Sequence, residues 1–351
     1  MSFLIAFLAL SFLVFFHELG HFIAARIFGV RVEVFSIGFG VKIFSKKIGE
    51  TQYALSMIPL GGYVKLKGQN DLDVLEQNCQ NDSYSNKSPF VKIIILFAGP
   101  FFNFILAFFL FFMVGNMGVS TYLPIVGEVK KNMPAFEAGI LENDEILSIN
   151  AKQIKTWMDL QEAVAKDTML NLVVLRKDKI LDFTIRPEII KAKNIFGEEI
   201  QKGVIGIAPS GKIGIVKYTG FESFEYASKK LYESSKIILL SVQKLISGII
   251  PLKEVSGPVM IVDKLAQASK SDFVLLLLWV GLISVNLGIL NLLPIPALDG
   301  GQILFNFYEI LTRKPIYEKA KYYLTLFGWI ILLSLMLLGL RNDILRLLGV
   351  W

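Results

Sequence analysis

Four runs of apolar residues set the terms on which this sequence can fold: MSFLIAFLALSFLVFF at 1–16, and three more at about 93–114, 273–293 and 322–340. A bilayer's hydrocarbon core is about 30 Å thick and takes roughly 20 helical residues to cross. Within it the backbone has to satisfy its own hydrogen bonds, so runs of this kind are expected as membrane helices. The first run lacks a basic leader and a small-residue cleavage site and continues into charged positions, so it is read as a retained span rather than a signal peptide. Mean hydropathy is +0.56 and 54 % of residues are hydrophobic, too apolar for an ordinary soluble enzyme. The 19 % of charged residues must therefore collect in a soluble insert.

Composition also removes several function classes. Cys79 is the single cysteine, which rules out an intrachain disulfide and a cysteine-based zinc site. The net charge of +6 is scattered rather than clustered, and many basic residues flank apolar runs, so it reads as a topology signal and not as a nucleic-acid surface. No lysine or arginine precedes the first span, whereas 26–92 carries Arg26, Arg31, Lys42, Lys46, Lys47, Lys65, Lys67, Lys87 and Lys92. That loop is expected in the cytoplasm. Alternation then places 115–272 outside and 294–321, with Arg313, Lys314, Lys319 and Lys321, inside.

Between the spans the pattern changes. Residues 30–66 are rich in Val, Ile, Phe and Tyr with partial alternation and glycine punctuation, the signature of strands and turns. Residues 69–90 are polar and read as a loose loop, and 121–190 as a small domain of mixed strands and helix. The stretch 221–250 mixes lysines with an apolar stripe and is expected as an amphipathic helix on the membrane surface.

Inside the first apolar helix stand His17, Glu18 and His21, and these are the only two histidines of the chain. Four residues on a helix rotate a side chain by about 40° and lift it about 6 Å, so both imidazoles face one point. Zinc, with Zn–N distances of about 2.0–2.1 Å, can occupy that point. In an H-E-x-x-H sequence the carboxylate next to the first histidine serves as general base toward metal-activated water. An acidic residue at the centre of a membrane helix costs about 2.5–3.5 kcal/mol on insertion scales, which argues that Glu18 is there for function. Arg26 is near enough to the cytoplasmic end to snorkel.

A catalytic zinc usually has three protein ligands and one open position. In NLGILNLLPIPALDGGQILF, residues 286–305, Pro294 and Pro296 interrupt the helix and Gly300 and Gly301 permit a sharp turn beside Asp299. Broken backbone at membrane depth is tolerated only where protein or water covers it. Asp299 is suited to be the third ligand; the alternative is that it caps the helix beginning there. Asn286 and Asn291 on the same span are either donors to substrate or to an oxyanion, or interhelical glue.

Taken in order, FHELGHF, FSIGFG, IPLGGYVKL, AGPFFNFILA, SGPVMI and NLLPIPALDGG run almost end to end along the chain. The set resembles the site-2 protease family of intramembrane zinc metalloproteases, in particular its bacterial branch. The resemblance implies a polytopic α-helical membrane protein with about four transmembrane helices, a membrane-reentrant β-loop and one extracytoplasmic PDZ-like α/β domain. It divides the chain into 1–114 with the first two spans and the β-loop, 115–220 as the PDZ-like domain, 221–272 as a surface helix and linker, and 273–351 with the last two spans. It assigns zinc to His17, His21 and Asp299, the base to Glu18, and a substrate or transition-state contact to Asn291. Gly38, Gly40, Gly61 and Gly62 would let substrate backbone approach the β-loop, although Gly38 and Gly40 equally fit simple turns. PAFEAGI followed by NDEILSIN is similar to a PDZ domain, with room for one such domain only. The implied activity is cleavage of single-span membrane proteins in the bacterial inner membrane, such as anti-sigma factors and remnant signal peptides. The alternatives are a catalytically silent membrane scaffold and a metal transporter. Intact ionisable residues argue against the first, and the lack of repeated halves against the second.

Overall fold

A computed structural model describes residues 1–69, 80–166 and 168–350. The chain forms two compact units, residues 1–114 with 223–351 and residues 115–222. The first contains helix α1 (Ser2–Ile27), strands β1 (Val32–Ile48) and β2 (Thr51–Leu66), and most of helix α2 (Pro89–Met117). The second is built from β3 (Val119–Tyr122), β4 (Val126–Val129), α3 (Pro134–Glu137), β5 (Glu145–Ile149), β6 (Lys152–Gln153), α4 (Trp157–Lys166), β7 (Leu170–Arg176), β8 (Lys179–Ile185), β9 (Glu188–Lys193), β10 (Glu199–Val204), β11 (Ile207–Pro209) and β12 (Ile213–Val216). The chain then returns to the first unit through α5 (Phe221–Ile246), α6 (Pro258–Ser271), α7 (Phe273–Asn291), α8 (Asp299–Thr312) and α9 (Glu318–Leu347).

Helices α1, α2, α7 and α9 are long and apolar enough to cross a membrane, as the four apolar runs led us to expect. Their packing depends on small residues that let backbones meet. A Cβ on Gly20 of α1 would lie 2.2 Å from the Ala98 carbonyl oxygen of α2, so only glycine permits this approach. Gly281 does the same for α7 against the ring of Phe111.

Between α1 and α7 sits α6, where the sequence had suggested only linker. Ile261, Leu265 and Ala268 recur at helical spacing and pack with Ala6, Leu13, Leu276 and Val280. Its start is set by Pro258 in the first turn and by Asp343 of α9, whose carboxylate oxygens accept the N–H groups of Gly257 at 2.8 Å and Met260 at 3.0 Å. Helix α5 carries Glu222, Glu225, Lys229, Lys230, Glu233, Lys236 and Lys244 and falls outside the span class.

The strand content expected between 30 and 66 is two long strands folded back on each other: 44–48 of β1 pairs with 51–55 of β2 as a hairpin, and 34–37 of β1 pairs with 62–65 of β2 on one side and with 52–55 on the other. Their base is buried through Val32, Phe35, Ser36, Ala54 and Leu66, while residues 39–50 are exposed and include Val41, Ile43, Phe44 and Ile48. The pairing is irregular from Val32 to Phe44, and within that stretch Gly38 and Gly40 adopt φ of 91° and 85°, a bulged conformation that side-chain-bearing residues rarely take. Of the polar stretch 69–90, the described part around Asp82 and Tyr84 is anchored to the ends of the two strands. Lys67 pairs with Asp82 at 2.7 Å, and the N–H groups of Arg31 and Tyr84 donate to Asp82 and Lys67 carbonyls. This contact also holds the Asp82 carboxyl below its usual range. Residues 70–79, Cys79 among them, lie outside the described residues.

In the second unit an antiparallel sheet of order β6-β5-β7-β8 is accompanied by the pairs β3–β12, β4–β11 and β9–β10. Trp157, Leu160 and Val164 of α4 close over a core of Val126, Ile146, Ile149, Leu172, Val174 and Ile205. Asp144, fully buried, is clamped by Arg176 through two bonds of 2.7 Å and accepts the Leu141 N–H at 2.8 Å. A groove of about 310 Å³ runs along α4 between Trp157, Val164, Ile190, Ile205 and Ile207.

Candidate metal centre

Helix α1 places His17 and His21 one turn apart on its buried face, where it meets α2. Gly99 of α2 makes the room: a Cβ there would lie 2.3 Å from Nε2 of His21 and 2.9 Å from Cε1 of His17. Asp299 arrives from the opposite end of the chain. Helix α7 ends at Asn291, residues 292–298 turn back, and Asp299 is the first residue of α8. The turn is held by close backbone packing, since Cβ atoms on Gly300 and Gly301 would fall 2.3 and 2.2 Å from the carbonyl oxygens of Leu292 and Ile295. A Cβ on Gly328 of α9 would lie 2.7 Å from the Ala297 nitrogen, and Gln302 donates to the Pro296 carbonyl at 2.8 Å. The cap of α8 is Leu298, so Asp299 does not cap its own helix and its carboxylate is turned to the histidines.

Three donor atoms converge. Nε2 of His17 and Nε2 of His21 are 3.3 Å apart, and Oδ2 of Asp299 lies 3.3 Å from the first and 3.5 Å from the second. A tetrahedral zinc with bonds of about 2.0–2.1 Å needs neighbouring donors about 3.3–3.4 Å apart. The triangle thus has the edge length of one face of such a site, and among the described residues it is the one His/Cys/Asp/Glu cluster able to hold an ion. The donor set, two imidazoles and one carboxylate, suits zinc and leaves a fourth position open. Nδ1 of His21 lies 2.8 Å from the Ile95 carbonyl, which can only accept, so the proton sits on Nδ1 and the Nε2 lone pair faces the triangle.

Glu18 lies beside the triangle, against β2. Its Cγ would be 3.6 Å from a Cβ on Gly62, and the Val64 backbone hydrogen-bonds its carboxylate. Asn291 brings Nδ2 to 3.2 Å from His17 Nε2. Asn286 makes no hydrogen bond to His17, Glu18, His21 or Asp299; five residues earlier on one helix is a rotation of about 140° from Asn291. Gly61 packs under the Phe39 ring, and Gly38 and Gly40 serve the bulge. Asn103 was not singled out from the sequence, yet it is fully buried with Nδ2 3.1 Å from His17 Nδ1. Its signal was available: it is the single amide within the apolar run 90–114.

Comparison with known proteins agrees with this geometry. The family profile "Peptidase family M50" matches residues 5–335. The Campylobacter jejuni protein Cj1068, designated a zinc metalloprotease, is 47 % identical and covers 99 % of this chain and 94 % of its own length. A Helicobacter pylori (strain J99) protein of like designation is 46 % identical over 99 % of this chain and 100 % of its own. The Bacillus subtilis regulator of sigma-W protease RasP is 31 % identical over 95 % of this chain and 96 % of its own. The chain belongs to peptidase family M50, the site-2 protease family of zinc metalloproteases.

Proposed function

We propose that this protein is an intramembrane zinc endopeptidase that cuts single-span membrane proteins within the bilayer of a bacterial inner membrane. The observation that carries the reading is the donor triangle of His17, His21 and Asp299 with Glu18 at its side, on helices of membrane-spanning length and apolarity. His17, His21 and Asp299 would hold the zinc, which when bound would acidify a water molecule and polarise a peptide carbonyl. Glu18 accepts the proton from the attacking water and returns it to the leaving amine. Asn291, on the His17 side of the triangle, donates its amide N–H to the carbonyl oxygen as charge develops.

A transmembrane substrate hides its peptide bonds in helical hydrogen bonds and must be locally extended before it can be cut. Residues 34–37 of β1 are paired on both sides, whereas 62–66 of β2 is paired on one side only, and strand addition to that edge would hold an extended segment next to Glu18. Strands β1 and β2 are the membrane-reentrant loop of our reading. The second unit is a PDZ-like domain on the extracytoplasmic side, and the lysine-rich loop 26–92 is cytoplasmic. Anti-sigma factors already trimmed outside the membrane, and remnant signal peptides, are the substrates proposed; the name of the sigma-W regulator among the relatives supports the first class.

The test is paired: zinc content, and cleavage of a single-span substrate in detergent, for wild type and Glu18→Gln. About one zinc in both proteins with cleavage by wild type alone supports the reading. Zinc in both and no cleavage by either, across several substrates, favours a membrane scaffold; no zinc in wild type overturns the metal site.

A further inference from the structure

The two histidines are held at Nδ1 by different chemistry. For His21 the partner is the backbone oxygen of Ile95, an acceptor and nothing else, so its tautomer is fixed whatever the centre contains. For His17 it is the side-chain amide of Asn103, which has a donor at one end and an acceptor at the other. Asn103 is 0 % exposed, and its Oδ1 is the one buried side-chain polar atom without a hydrogen-bond partner among the described residues. Its backbone carbonyl accepts the Ser284 hydroxyl at 2.8 Å, which ties this turn of α2 to α7.

The orientation of the amide decides which nitrogen of His17 can bind a cation. With Nδ2 facing the ring, its N–H donates to Nδ1 and the imidazole proton sits on Nε2, between Asp299 Oδ2 at 3.3 Å and the Asn291 amide, whose own N–H groups at 3.2 Å oppose a proton there. In that arrangement Nε2 has no lone pair to offer a cation. Turned by half a rotation about its last torsion, the amide presents Oδ1 to the ring. Nδ1–H donates to it, and Nε2 becomes a bare donor aimed at the triangle.

We propose that Asn103 is the positioning residue of the metal centre: its carbonyl oxygen accepts from Nδ1–H of His17 and holds Nε2 as the ligating atom. This rests on the zinc reading above. One histidine is thereby set by the backbone and the other by a side chain. Outer partners of this kind are worth about 10–100-fold in metal affinity.

The experiment measures zinc affinity by chelator competition on the full-length protein in detergent, for wild type, Asn103→Leu and Asn103→Asp, with zinc-free thermal midpoints alongside. Because the chain has two histidines, ¹⁵N-histidine labelling reports both ring tautomers directly. Expected are a loss of about 10–100-fold in affinity for Asn103→Leu and wild-type or tighter binding for Asn103→Asp, whose carboxylate accepts from Nδ1–H. The His17 proton should sit on Nδ1 in wild type and Asn103→Asp and lose that preference in Asn103→Leu, with His21 unchanged. Equal zinc affinity in wild type and Asn103→Leu, or a His17 tautomer indifferent to residue 103, overturns the proposal and leaves the zinc reading standing. Wild type that binds no zinc overturns both. Should Asn103→Leu not fold, the Asn103→Asp affinity and tautomer decide.

Discussion

Gly62 of β2 faces Glu18 of α1 so closely that a Cβ there would lie 3.6 Å from Glu18 Cγ and 2.6 Å from the Ser36 carbonyl oxygen. The second contact is with backbone and cannot be relieved by a side-chain rotation. Gly62→Val should therefore push the hairpin off α1 and disturb the position of Glu18. A misplacement of about 1 Å can cost on the order of a hundredfold in rate. We expect cleavage to fall by about that factor while zinc content stays near wild type; activity retained by Gly62→Val would show that the hairpin does not position the base.

Metal removal should be reversible and should register as stability. A ligand present at about 1,000 times its dissociation constant stabilises the folded state by about 4 kcal/mol. Chelated protein should melt lower than zinc-loaded protein and recover on adding zinc, with cleavage lost and regained in parallel. Asp299→Ala should abolish most of that zinc-dependent shift, because two imidazoles remain and the third donor is gone. A full shift in Asp299→Ala would remove Asp299 from the ligand set.

The buried pair Asp144–Arg176 is a stability device of the second unit, remote in sequence from the metal residues. Breaking a buried ion pair by deleting one partner typically costs about 3–5 kcal/mol. Arg176 is partly exposed, which places Asp144→Ala toward the lower end. Hydrogen exchange in full-length protein should quicken in β5 and β7, with zinc affinity unchanged.

Asp343 of α9 caps α6 through Gly257 and Met260. Losing a helix N-cap costs about 0.5–2 kcal/mol. Asp343→Ala should raise hydrogen exchange in the first turn of α6, at residues 258–262, by roughly tenfold per 1.4 kcal/mol lost. Unchanged exchange there would mean that Pro258 and the packing of Leu265 suffice to hold the helix.

Much of this architecture was written in local pattern. Apolar length alone determined the four spanning helices, because hydrocarbon leaves the backbone no other partner, and the 3.6-residue period alone put His17 and His21 on one face with Glu18 beside them. Composition likewise separated the strand-rich 30–66 from the helices around it. What the sequence left open were questions of rotation and of distance along the chain. Asn286 and Asn291 are equivalent as text, and only the packing of α7 against α1 and α2 turned the second toward His17. Helix α6 was hidden because its apolar face is short and its cap, Asp343, comes from another helix. Asp299 reaches His17 from α8 through a turn that depends on glycines meeting backbone atoms, and Asn103 reaches it from within α2, which Gly20 lets approach α1 at the Ala98 carbonyl. Close contacts of this kind are set by three-dimensional packing rather than by any local periodicity, so the triangle and the amide behind it belong to the tertiary structure, and the paired histidines that begin it belong to the sequence.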